Sequence, residues 1–427
     1  MHALSVNGPY ITNDPFFKGL GTGAPLYETS TTEGQWGAHV TRLEYAFAYS
    51  QSGNGSGITN AGAFGSSAVK IAIIDTGEDP THPELTSKIG YQKCFITNPD
   101  GSQSISNFET DPTGHGTAVS GVAAADTGNA LGFTGAGGAA SIYAYRVFPT
   151  PDDNCVSDTS TDDQCTSDSG DIVSAIGDAE AQKVNVINLS LGGGSCASAG
   201  VDPDPAEGNA VADAIAAGIV VVAASGNDSN AGSPAAPESP ACDSGVIAVG
   251  ATGLSDGQTN STGNTSGSAS NPKEYVASYS NAGSPGAAVN SANAWGIVAP
   301  GGDAASATDD DFLHWIDTIW TSTPYQSSSS DLDFAGECIP DVGTTGTTDC
   351  RTLIDGTSLA SPDVAGTAAL IIAANSSYQS ATKMKQLLCA TADDIGDANE
   401  GCGRLDVYRA MSVAVGDSSE PAERPIP

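Results

Sequence analysis

The stretch Val69-Lys70-Ile71-Ala72-Ile73-Ile74-Asp75-Thr76-Gly77 decides the fold. Its β-branched run predicts a buried strand, and Asp75-Thr76-Gly77 predicts the turn that ends it. Working outward, Gly114 to Ala125 is small and Ala-rich and predicts a helix, and Ile142 to Phe148 predicts a strand. Asp171 to Gln182 predicts a helix with Asp171 as N-cap, and Val184 to Leu189 another strand. Pro205 to Ala217 reads as a helix stopped by Gly218, followed by strands at Ile219 to Ala223 and Val246 to Val249. Gly366 to Ala374 reads as a buried helix and Thr382 to Ala390 as one more. This alternation predicts an α/β fold: a mostly parallel central sheet with helices on both faces, hence three layers.

Two stretches break the alternation. Residues 149–170 carry Asp152, Asp153, Asp158, Asp162, Asp163 and Asp168 among Ser and Thr, with no Lys or Arg. Residues 255–350 are rich in Ser, Gly, Asn and Thr, with brief apolar pieces such as Trp295 to Val298. Both read as surface insertions. The polar, Pro-containing residues 416–427 read as a frayed tail, so the folded unit is expected to span 1–415.

The 427 residues include 50 acidic and 14 basic ones, for a formal charge of -36. Charged residues make up 15%, against about 25% in an average domain. The deficit is in Lys and Arg. That excludes a nucleic-acid binder relying on a basic surface and disfavours an anionic membrane as partner. The longest apolar runs, Gly218 to Ala224 and Ala365 to Ala374, are too short to span a bilayer. Met1 is followed by no basic flank and no apolar core of a signal peptide. Either the chain starts inside a longer precursor or it stays in the cytosol.

Nine cysteines favour the former. None stands at C-x-x-C spacing, which argues against a zinc ribbon or a thioredoxin motif. Cys155 with Cys165, Cys338 with Cys350, and Cys389 with Cys402 would each close a short loop, as suits an oxidising compartment. Unpaired buried cysteines are the alternative.

Of five histidines, His115 stands apart in Thr113-Gly114-His115-Gly116-Thr117, where flanking glycines allow close approach to the ring. Ser358, in Asp355-Gly356-Thr357-Ser358-Leu359-Ala360-Ser361-Pro362, immediately precedes the Ala-rich helical run. A helix N-terminus stabilises developing negative charge, although a serine there is also a common N-cap. Asp75 at a strand end can equally be an Asx turn.

Taken together, these segments resemble the subtilisin-like serine protease family, the subtilases. The matching motifs are Ile73-Ile74-Asp75-Thr76-Gly77, Gly114-His115-Gly116-Thr117, Asn188-Leu189-Ser190-Leu191-Gly192, Ala223-Ala224-Ser225-Gly226-Asn227 and Gly356 to Pro362. Asn13-Asp14-Pro15-Phe16-Phe17, Gln35-Trp36-Gly37 and Gly403-Arg404-Leu405-Asp406 extend the likeness towards both ends. The order Asp, His, Ser along the chain is also that of the subtilisins. The resemblance implies a subtilisin-like catalytic domain over 1–415. In it Ser358 is the nucleophile, His115 the general base, Asp75 its orienting carboxylate, and Asn227 an oxyanion donor beside the Ser358 amide. It further implies a substrate-pairing edge at Ser190, Leu191 and Gly192, faced by Ala224, Ser225 and Gly226 as one wall of the S1 pocket. It assigns no residue to the floor of that pocket.

Other implications are a secreted, extracellular, monomeric endopeptidase acting on polypeptides, with no nucleic-acid or membrane partner and no catalytic cofactor. A propeptide is expected in the precursor and is absent from this chain. Glu84, in His82-Pro83-Glu84-Leu85, stands where the family commonly places a calcium-ligating Asp, with the loop Thr127 to Leu131 as a source of carbonyls for Ca²⁺. Cys196 and Cys242 follow adjacent strands of the resembled fold and are paired on that ground, leaving Cys94 as the odd cysteine. The 149–170 stretch would rim the non-primed subsites, as a solvated loop, a calcium loop, or a selector of basic residues two to four positions before the cut. Asp363 and Ala118 depart from positions where the family often has His. Two other readings compete: a catalytically dead relative serving as a binding or surface-layer module, and a sedolisin relative. The intact catalytic positions weigh against the first, and His115, where sedolisins need Glu, weighs against the second.

Overall fold

The computed structural model describes residues 12, 14–18, 34–52, 64–98, 100–107, 110–149, 166–194, 203–230, 233–258, 267–268, 272–283, 293–305, 312–322, 339–340 and 350–417. In chain order the elements begin with α1 (Pro15–Lys18), α2 (Trp36–Val40), α3 (Leu43–Ser52), β1 (Lys70–Asp75), β2 (Ile89–Thr97), β3 (Gln103–Ser106) and α4 (His115–Ala124). There follow β4 (Ser141–Arg146), α5 (Ser169–Ala181), β5 (Val186–Leu189), α6 (Pro205–Ala216), β6 (Val220–Ala224), β7 (Ile247–Ser255), β8 (Lys273–Val276) and β9 (Ile297–Pro300). The last are β10 (Ile316–Trp320), β11 (Ile339–Pro340), β12 (Cys350–Ile354), α7 (Thr357–Ala374), α8 (Ala381–Thr391) and α9 (Val407–Ala414).

The Val69 run becomes the centre of the main sheet. β1 pairs in parallel with β4, Asp75 opposite Arg146, and with β5, Ile74 opposite Leu189. The order is β3-β2-β4-β1-β5-β6-β7-β8, with β9 also paired to β7. Within it only β3 and β8 run antiparallel to their neighbours. Side chains alternate between two cores. Ile71 and Ile73 pack with Val119 of α4, Val364 of α7 and Met384 of α8, while Ala72 and Ile74 pack with Ile172 of α5 and Val211 of α6. Both faces are covered, so the strand reads as one apolar run. The ends of β1 and β5 adjoin at the reversal of strand order, where open α/β sheets place their ligands.

Helix α7 is buried along nearly its whole length and packs on β5, β6, β7 and α4. It is long and apolar enough to cross a membrane, but it is mostly buried inside the protein and serves as a core helix. Behind it, Arg404 fastens the C-terminal segment. Its guanidinium donates to Glu274 Oε2 at 3.1 Å and Asp393 Oδ2 at 2.9 Å, while Val298 N donates to the Gly403 carbonyl and Leu405 N to the Val298 carbonyl.

Three expectations need correction. Helix α5 is capped by Asp168, whose carboxylate accepts from Gly170 N at 2.8 Å. Asp171 accepts instead from Thr97 N at 2.7 Å and Gln103 Nε2 at 2.6 Å, tying the β2–β3 hairpin to the helix. The 255–350 stretch is not only surface loop: its described parts hold β8 to β11, and β10-β12-β11 form a separate antiparallel sheet. These strands are so short that the surrounding Ser and Gly hide them in any compositional window. The buried helix read at Gly366 starts at Thr357, because Pro362 sits early in α7, where a missing N–H costs one bond rather than the helix.

Cys389 and Cys402 form the expected disulfide. Cys242 and Cys350 are each disulfide-bonded; their expected partners Cys196 and Cys338 lie outside the described residues, as do Cys155 and Cys165. Cys94 is a buried thiol. The acidic loop reading also lies outside them, since residues 150–165 are not described.

Candidate active site

Asp75 ends β1 and is 1% exposed. Its Oδ1 accepts from Thr76 N at 2.7 Å and lies 2.7 Å from His115 Nδ1. His115 is the first residue of α4, and α4 packs against α7, whose first turn carries Ser358. Gly114 before it has φ 96°, and a Cβ there would lie 2.3 Å from the ring of the buried Trp320. Glycine is therefore required by both backbone and space.

The residue that holds this turn is Asp111. Buried, it accepts from Gly114 N and Thr117 N at 2.8 Å each, from Thr117 Oγ1 at 2.7 Å and from Thr76 Oγ1 at 2.9 Å. It satisfies the open N–H groups at the start of α4 and so fixes where His115 begins. The sequence carried a sign of it, an Asp in Asp111-Pro112-Thr113-Gly114 ahead of a helical run. Burial of the His115 imidazole opposes its charge, but the field and hydrogen bond of Asp75, with the charge of Asp111, outweigh this and raise its pKa.

Ser358 Oγ donates to the Ser190 carbonyl at 3.3 Å. In return Ser190 Oγ donates to the Ser358 carbonyl at 2.8 Å. That carbonyl would ordinarily accept from the residue four places on, which is Pro362 and has no N–H. Ser190 thus takes over the bond that Pro362 vacates. Asn188, polar in the buried β5, completes the arrangement: its Nδ2 donates to Ser190 Oγ at 3.0 Å and its Oδ1 accepts from Ser361 Oγ at 2.7 Å.

Asn227 Oδ1 accepts from Thr357 N at 3.0 Å and Thr357 Oγ1 at 2.8 Å, which turns Nδ2 the other way. Gly356 has φ 151° and ψ 156°, a conformation kept for glycine. A Cβ on it would stand 3.7 Å from both Asn227 Nδ2 and Ser358 N. The space left by the missing side chain is therefore faced by two N–H donors. Leu191 is half-buried and Gly192 exposed beside it, whereas Ala224, Ser225 and Gly226 are buried. Ser225 Oγ bonds the Asn281 carbonyl at 2.7 Å, and Gly226 is tied by its N–H to Oγ1 of Thr357, the residue before Ser358, at 3.3 Å.

Glu84, expected as a calcium ligand, is hydrogen-bonded to the neighbouring loop in this structure. Its carboxylate accepts from Asn129 Nδ2 at 3.0 Å and Phe133 N at 3.2 Å, and Asp14 accepts from Gly128 N at 2.7 Å and Ala130 N at 3.1 Å. The loop turns N–H groups towards these carboxylates. Among the described residues no three His, Cys, Asp or Glu gather as ligands would. In this arrangement Glu84 anchors the loop. Glu84→Ala should cost about 2 kcal/mol by stranding two donors. Urea unfolding with calcium and with chelator should give the same difference from wild type. A difference that vanishes in chelator would make Glu84 a ligand after all.

The model of the subtilase family matches residues 66–405. The chain is 30% identical to thermitase of Thermoactinomyces vulgaris over 347 residues, covering 81% of this chain and 89% of that protein. It is 29% identical to subtilisin DY of Bacillus licheniformis over 343 residues, 80% of this chain and 90% of the relative. Among solved structures, a protease of Pseudoalteromonas arctica PAMC 21717 superposes with TM-score 0.57 at 23% identity, covering 86% of this chain and 98% of that one. The chain belongs to the subtilase family and is a subtilisin-like serine endopeptidase, a hydrolase with that family's three-layer fold.

Proposed function

We propose that Asp75, His115 and Ser358 are the catalytic triad of a secreted, monomeric endopeptidase whose catalytic unit spans 1–415, and that Asn227 and the Ser358 amide hold the oxyanion. The observation that carries this reading is the 2.7 Å contact of His115 Nδ1 with Asp75, at the carboxyl end of the central strand β1. Asp75 keeps the proton of the neutral ring on Nδ1 and leaves Nε2 as the base. Ser358 Oγ, giving up its bond to the Ser190 carbonyl, attacks the scissile carbonyl and passes its proton to His115. The tetrahedral oxyanion accepts from Asn227 Nδ2 and Ser358 N, whose directions are fixed before reaction. His115 then protonates the leaving amine. Water, deprotonated by the same ring, releases the acyl group. No step needs a metal.

The polypeptide substrate adds as a strand along Ser190, Leu191 and Gly192, opposite the Ala224-Ser225-Gly226 wall. The disulfide Cys389–Cys402 and the bonded Cys242 and Cys350 support an oxidising, extracellular compartment. The test is a serine-directed phosphonate probe applied to the purified chain, with peptide mapping. Labelling at Ser358 that parallels loss of casein hydrolysis is expected. Hydrolysis that survives full labelling, or labelling elsewhere, would overturn the assignment.

A further inference from the structure

Glu238 belongs to none of the motifs, yet the fold sets it between two of them. Both flank the segment that carries Ser358: Ser190 Oγ bonds the Ser358 carbonyl at 2.8 Å, and Gly226 N bonds Thr357 Oγ1 at 3.3 Å. Glu238 lies between Gly192, two residues after Ser190, and Gly226 itself. A Cβ on Gly192 would lie 2.4 Å from Glu238 Oε2, and one on Gly226 would lie 3.0 Å from Glu238 Cγ and Cδ. The side chain thus lies against two bare Cα atoms, and its position is set by backbone. That backbone is itself held, Glu238 N to Ser225 O and Gly193 N to Ser239 O at 3.0 Å each. Its carboxyl is hydrogen-bonded to Asp228, which in turn accepts from Asn281 Nδ2 at 3.2 Å and donates its own N–H to Asn281 Oδ1 at 2.8 Å.

We propose that Glu238, backed by Asp228, forms the floor of the pocket for the residue whose carbonyl Ser358 attacks, and that it selects lysine or arginine there. The inference rests on Ser358 being the nucleophile and on Ser190 to Gly192 and Ala224 to Gly226 being the pocket walls. A large apolar side chain would strip water from a carboxyl pair without replacing its hydrogen bonds, and an acidic one would meet like charge. A cation gains from both.

Two hydrogen-bonded carboxyls share a proton, so the pair carries one negative charge until Glu238 ionises and two afterwards. Burial, then the bond to Asp228 and its charge, push Glu238 up to about 7, while its hydrogen bonds with Glu238 and Asn281 hold Asp228 below the usual carboxylate range. Asp228 is the charged group that acts on Glu238; Gly192, Ser225, Gly226 and Asn281 facing it are uncharged. The preference for a cation should therefore grow as pH rises through about 7.

The experiment compares kcat/KM for peptides identical and neutral except at the residue before the cut, which is Arg, Lys, Gln, Leu or Glu, across that pH range. The ratio Arg to Gln cancels the titration of His115, which acts on both substrates alike. The ratio should exceed one and rise about fivefold through neutrality, the worth of a partly screened ion pair. Glu238→Gln should lower it and remove the step, and Asp228→Asn should move the step to lower pH. A flat ratio in the wild type, which needs no variant to fold, overturns the inference while leaving the protease reading intact. So does a Glu238→Gln enzyme with the wild-type profile. Absence of all Ser358-dependent hydrolysis would overturn both.

Discussion

Replacing Ser358 by alanine is expected to lower kcat about a millionfold, the magnitude known for the corresponding change in subtilisin itself. The loss is large because no other group can form the acyl bond. The remaining rate comes from the two donors facing Gly356, Asn227 Nδ2 and the residue 358 amide, which the substitution does not touch. Stability should barely change. The hydroxyl makes one long bond, 3.3 Å to Ser190 O, and alanine suits the first turn of α7. The carbonyl of residue 358 still receives Ser190 Oγ, so the junction of β5 and α7 stays closed. The check is casein hydrolysis beside a thermal melt: an inactive enzyme with a melting temperature within a few degrees of wild type. Persistent hydrolysis at near wild-type rate would falsify the assignment of the nucleophile, and an unfolded variant would show that the hydroxyl is structural.

How much of this was legible in the residues depends on where each signal was stored. β1 was plain, because both its faces are buried and every position between Lys70 and Asp75 had to be apolar. Ser358, His115 and Asp75 were legible through short local patterns of glycine around a reactive side chain. The purposes of Asn188 and Pro362 were not, since each is defined by a partner far along the chain: Pro362 vacates a carbonyl that Ser190 fills, and Asn188 orients Ser190. Asp111 carried a capping pattern but competed with many Asp residues in an acid-rich chain. Glu238 had no local signal. Its meaning comes from two glycines, one 46 residues before it and one 12 residues before it in the numbering, that the fold lays against it. The strands β8 to β10 were lost for a different reason: four or five residues between Ser- and Gly-rich loops, interrupted by Lys273 and Glu274 in β8 and by Asp317 in β10, are too few to register as a period.

Asp75→Asn should separate the two things that the carboxylate does for His115. One is orientation. An asparagine amide can donate to Nδ1 where the carboxylate could only accept, which places the ring proton on Nε2 and leaves no base facing Ser358. A loss of about ten thousandfold in kcat is the scale for that change in serine-protease triads. The other is the electrostatic lift on the imidazole. In the wild type, burial opposes the charged ring, but Asp75 by charge and hydrogen bond, joined by Asp111, raises its pKa above the ordinary value. With His115 as the base it must be neutral to accept the Ser358 proton, so the acid limb of kcat/KM should be displaced upward from the ordinary histidine value in the wild type. Removing the Asp75 charge leaves burial opposed only by Asp111, and the pKa must fall. The variant should therefore be slow at every pH, with its acid limb displaced to lower pH. Asp75→Ala removes both the charge and the competing amide donor; it should show the same displacement, with a smaller loss than Asn where the ring can still choose its tautomer. The pH–rate profiles of the three enzymes on one neutral peptide decide it. An acid limb that stays in place or moves upward in Asp75→Asn would mean that the field on His115 comes from another group, and a loss of less than about tenfold would mean that Asp75 does not set the tautomer.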